Sequence, residues 1–81
     1  MSSPVEIKKV IQKDGIISVT LTGKTGIPSY IIRNYTIVTG NEKVLIDELK
    51  PGEEKTYELK SDREEFGIFR PTGFEVVNVK L

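Results

Sequence analysis

The stretch Ile16-Ile17-Ser18-Val19-Thr20-Leu21-Thr22 decides the fold class. Ile17, Val19 and Leu21 fall on one side of an extended chain, and Ser18, Thr20 and Thr22 on the other. That alternation marks a half-buried β-strand with one wet face. Asp14-Gly15 precedes it, a pair suited to a two-residue hairpin turn. On the far side of the turn, Val5 to Gln12 keeps Val5, Ile7 and Ile11 in phase, while Lys9 breaks the pattern and Val10 takes the other phase. A β-bulge or a change of sheet near Lys8-Lys9 accounts for the break.

Beyond the deciding strand, Gly23-Lys24-Thr25-Gly26-Ile27-Pro28 reads as a loop. Tyr30 to Thr39 is a third strand whose phase changes at Arg33 and Asn34, which predicts a bulge or two covered faces. Gly40-Asn41 turns the chain into Lys43–Leu49. Pro51-Gly52 turns it again, with Pro and Gly at the two central positions of a type II turn. Thr56–Lys60 follows, with Tyr57 and Leu59 inward. Ser61-Asp62-Arg63-Glu64 matches a capping box and predicts one helical turn. Phe66–Arg70 is closed by Pro71-Thr72-Gly73, and Phe74–Leu81 puts Val77, Val79 and Leu81 on one face.

Composition agrees. The chain has no Ala, the best helix former, whereas Val, Ile and Thr supply 25 of its 81 residues. Seven strand-like segments, with turn signals about every 8–12 residues, predict an all-β fold. The expected architecture is a seven-stranded antiparallel immunoglobulin-like β-sandwich filling residues 1–81 as one domain. A five-stranded OB-like barrel is the rival. Nine Lys and nine Glu against one Gln match the surface chemistry of proteins from hot environments.

Leu49-Lys50-Pro51-Gly52-Glu53, between two strands, resembles the L-x-P-G-E turn of bacterial and archaeal immunoglobulin-like domains of the cell-adhesion-related (CARDB-like) kind. Gly15 followed by Val19-Thr20-Leu21-Thr22 is similar to the earlier V-x-V-x-L strand of that family. The likeness covers about half of the chain. It implies an adhesion or scaffolding module without catalysis.

The absent residue types narrow the chemistry. Without Cys or His the chain has no disulfide, no thiolate or imidazole metal ligand, and no His- or Cys-based catalysis. Acids cluster at Asp47/Glu48, Glu53/Glu54 and Asp62/Glu64/Glu65, a chemistry open to glycoside hydrolysis or Ca²⁺, yet adjacent acids on strands and turns read as solvated. No cofactor is expected. Gly23-Lys24-Thr25-Gly26 lacks the upstream glycine and following helix of a phosphate loop. Asn34-Tyr35-Thr36 is a formal glycosylation sequon, read as a chance match within a strand.

Twelve basic residues balance twelve acidic ones, which makes nucleic acid an unfavoured partner. The aromatic and basic candidates for it are Tyr30, Arg33 and Tyr35, with Phe66, Phe69 and Arg70. No apolar run approaches the length of a membrane span. Met1-Ser2-Ser3-Pro4 is not followed by a secretory h-region, so the expected address is cytoplasmic for a full-length chain and extracellular for a domain cut from a longer one.

Binding therefore leads, through an edge strand that takes another protein or a second copy. The first strand is guarded by Lys8-Lys9; the last is the more open. The binding candidates are Arg33, Tyr35, Phe74, Val76 and Asn78. A small-ligand or carbohydrate-binding module using the loops at one end is the alternative, and an OB-like binder of single-stranded nucleic acid the second.

Overall fold

The computed structural model describes residues 4–81; residues 1–3, part of the Met1–Pro4 stretch read above, lie outside the described residues. Seven strands follow in order: β1 (Val5–Lys13), β2 (Ile16–Gly23), β3 (Ile32–Thr39), β4 (Glu42–Leu49), β5 (Glu54–Lys60), β6 (Glu65–Phe69) and β7 (Glu75–Lys80). They form two antiparallel sheets, β1-β2-β5 and β4-β3-β6-β7, packed as a sandwich. The sheets do not close into a barrel, which removes the OB-like alternative. In a constant-type immunoglobulin sandwich the fourth strand lies beside the fifth; here β4 pairs with β3. No helix of the described residues is long and apolar enough to cross a membrane.

The core lies between the sheets. Ile17, Val19 and Leu21 are fully buried, as the alternation of β2 requires, and Phe66 and Ile68 of β6 face them from the second sheet. Lys8 is the extra residue of a bulge in β1: Ile7 pairs with Leu21 and Lys9 with Thr20. The bulge brings Val10 opposite Val19 and turns Ile11 outward, so Ile11 leaves the phase it shares with Val5 and Ile7 in the sequence.

The phase change in β3 has a partner. Ile32 and Ile37 are both buried though opposite in parity, and so are Ile46 and Leu49 of β4. Between these pairs Asn34 takes a left-handed φ of 58°, and neither Asn34 nor the facing Asp47 joins the ladder. Both strands rotate together, so the register stays constant while the buried face changes.

Of the predicted turns, Gly40-Asn41 stands between β3 and β4 as read, and three of the other four also hold. Asp14 and Gly15 both have positive φ, as a type I′ hairpin demands. Glu53 N donates to Lys50 O at 2.9 Å across Pro51-Gly52, and Gly52 has φ 79°, the geometry of a type II turn. Gly73 N donates to Arg70 O at 2.9 Å. The fourth site departs from expectation: residues 61–64 form a bend, not a helical turn. Ser61 Oγ accepts from Arg63 N, two residues on, at 2.9 Å, a local turn that competes with the cap.

Candidate binding site

Successive strands run in opposite directions, so the connections divide between two ends of a body 38 × 24 × 22 Å in extent. One end gathers Asp14-Gly15, Gly40-Asn41 and the 61–64 bend. The other gathers Pro4, the loop 24–31, the Pro51-Gly52 turn and residues 70–74. The 24–31 loop is founded on a close backbone approach. Gly23 N donates to Glu53 O at 3.3 Å and Gly52 N to Gly23 O at 2.8 Å. A Cβ on Gly23 would stand 2.4 Å from Lys50 O, so no other residue fits there without backbone movement. Lys24 N donates to Pro4 O at 3.0 Å. Residues 25–30 make no hydrogen bond among the described residues.

A cleft of about 760 Å³ opens beside this loop. Its working surface is made by Lys24, Ile27, Tyr30, Ile31, Tyr35 and Arg70, and no carboxylate or side-chain amide lines it. Ile27 is fully exposed and Tyr30 is 65% exposed; with Ile31 and Phe74 they make half of the eight large apolar side chains left in solvent among the described residues. Lys24 and Arg70 make no ion pair among the described residues. Nearby cations are occupied. Glu48 takes Arg33 at 3.8 Å and Lys50 at 4.0 Å, and Lys55 Nζ lies 3.9 Å from Glu53.

The five residues singled out in the sequence are scattered. Arg33 is exposed on β3, whereas Tyr35 is half-buried against the core and lines the cleft. Left-handed Asn34 between them breaks the alternation that would have set them on one face. Phe74 is exposed just before β7, and Asn78 is exposed with its Nδ2 3.4 Å from Glu75 Oε2. Val76 is the extra residue of a second bulge, opposite Ile68 and Phe69, and packs against the core beside Val77. The bulge removes Val76 from the face that simple alternation shares among Phe74, Val76 and Asn78.

Tyr30 and Arg70, weighed only for nucleic acid, meet Tyr35 at the cleft. Ile27 and Ile31 were missed; their signal was apolar side chains inside a loop bounded by Gly26 and Pro28.

Elsewhere the acids are dispersed or paired with lysine and arginine. Among the described residues no group of three or more could hold a metal ion. Tyr57, inward on β5, has its pKa raised above the ordinary 10.0, chiefly by burial and then by the negative charges of Asp47 and Glu53. β7 is an edge strand, paired with β6 alone. Leu81 N donates to Glu64 O at 2.7 Å, so ladder alternation turns the N–H groups of Asn78 and Lys80 away from β6. No family model, curated protein or solved structure matches this chain.

Proposed function

We propose that this chain is a non-enzymatic interaction module that holds a protein partner at its loop end. Such a role is the one its resemblance to adhesion-related immunoglobulin-like domains implies. The concentration of exposed apolar side chains at one end, on Ile27, Tyr30, Ile31 and Phe74, carries the reading. Loops on a rigid sandwich are free to present such groups because the sheets alone carry the fold. Covering one large apolar side chain contributes about 1.5–3 kcal/mol, and a few such buried anchors carry most of the energy of a typical interface.

Two triple variants test it. Ile27→Ser/Tyr30→Ser/Phe74→Ser alters the loop end, and Ile11→Ser/Ile16→Ser/Leu45→Ser alters the sheet faces. Both keep the wild-type unfolding transition by circular dichroism. Against a displayed protein or peptide library, only the loop-end variant loses its binders. Loss confined to the sheet-face variant contradicts the reading.

A second reading rests on the free edge of β7: strand pairing with another copy or another protein. Light scattering from micromolar to millimolar protein then shows a dimer, and Asn78→Pro, which removes an outward N–H, returns it to monomer. A monomer at every concentration rejects self-pairing.

A further inference from the structure

We infer that the partner segment is an acidic peptide carrying an aromatic or aliphatic side chain, its carboxylates held by Lys24 and Arg70 at the cleft mouth. The inference rests on the loop-end reading and specifies its chemistry. Both cations line the same cleft, no carboxylate lines it with them, and neither has an ion-pair partner among the described residues. The contrast with Arg33 and Lys50 is local: those two share Glu48 on the neighbouring strand. In a chain of zero net charge, the cleft thus gathers two cations with no acid in its lining, a place suited to an anionic partner.

The rest of the lining selects among anions. Ile27, Pro28, Ile31 and the two tyrosine rings offer an apolar wall suited to one large side chain. A neutral sugar would leave the charges of Lys24 and Arg70 unmatched, whereas carboxylates pair with them. A nucleic-acid strand needs a track of cations for successive phosphates; two cations and zero net charge supply little of one.

The test is selection from a random 12-residue peptide library displayed on phage, run on the wild-type chain and on Lys24→Glu/Arg70→Glu. Wild type enriches peptides with at least two acids beside a Phe, Tyr, Trp, Leu or Ile. The charge-reversed chain enriches basic peptides in the same pattern. The wild-type peptides bind that variant about 2- to 30-fold more weakly, the loss expected for two exposed charge pairs, and their affinity falls as salt rises. If the reversed variant does not fold, Lys24→Gln/Arg70→Gln replaces it and loses the acid preference without gaining a basic one.

Recovery of the same acidic peptides by the variant overturns the inference. So do apolar peptides that bind the loop end with no enrichment in acids; that outcome leaves the loop-end reading standing. Absence of any peptide bound at the loop end overturns both. Tighter binding of the oligonucleotide dT12 than of any peptide, lost in the charge-reversed chain, replaces the peptide with nucleic acid.

Discussion

The two ends of the sandwich are built on opposite plans. At the turn end, hydroxyls and backbone groups knit the sheets together. Thr39, only 2% exposed, donates from Oγ1 to Glu65 O at 2.7 Å and lies 2.8 Å from Ser61 Oγ. Ser61 N donates to Gly15 O at 2.8 Å, and Gln12 Nε2 to Arg63 O at 3.1 Å. At the loop end, residues 25–30 make no hydrogen bond among the described residues and expose Ile27 and Tyr30. That lack of bonds within residues 25–30 leaves the loop free to bind. The boundary between the plans is Gly23, where the loop springs from the Pro51-Gly52 turn.

That boundary gives the largest expected effect. Gly23→Ala places a Cβ 2.4 Å from Lys50 O and 2.9 Å from its carbonyl carbon. Backbone on both sides must move, and the chain loses about 3 kcal/mol, the upper range for overpacking, in a urea unfolding curve. An unchanged midpoint breaks the claim that the loop end stands on a rigid base.

Thr39→Val probes the opposite end. The substitution keeps the shape but strips the hydroxyl between Ser61 and Glu65, at a cost of about 1–3 kcal/mol for unmade buried hydrogen bonds. The urea midpoint checks it. By contrast, Ile27→Ser or Tyr30→Ser alone shifts stability by no more than about 0.5 kcal/mol, the usual range for exposed sites. Equal effects of Thr39→Val and Ile27→Ser on the midpoint erase the distinction between the ends.

The smallest effect lies off the ends, on β5. Tyr57 titrates at a raised pKa in the folded chain, so its neutral form is favoured by folding. Its contribution is complete below its unfolded pKa of about 10 and declines as pH rises above that value toward the folded pKa. Tyr57→Phe removes this decline. Thermal melts at pH 9 and pH 11 show a smaller drop for the variant than for wild type.

Much of this architecture was legible in the chain. Observed strand boundaries fall within about two residues of those read from alternation, because turn dipeptides such as Asp14-Gly15 and Pro51-Gly52 have few conformations open to them. Alternation fails where the ladder is interrupted. Ile11 and Val76 change faces at bulges, and left-handed Asn34 separates Arg33 from Tyr35. Ser61 satisfies two local motifs equally well in sequence, and the bond to Thr39 accompanies the bend rather than the helix. The cleft had no local signature at all. It joins residues 24–31 to Arg70 across four intervening strands, a meeting that only the packing of the sheets creates.

The central claim is that binding belongs to the open end. The most direct measurement is an amide chemical-shift map of the ¹⁵N-labelled chain titrated with a peptide selected on it. The account predicts shifts at residues 24–31, Tyr35 and 70–74, with Gly15, Asn41 and Ser61 unmoved. Shifts confined to residues 75–80, or centred on the turn end, contradict it.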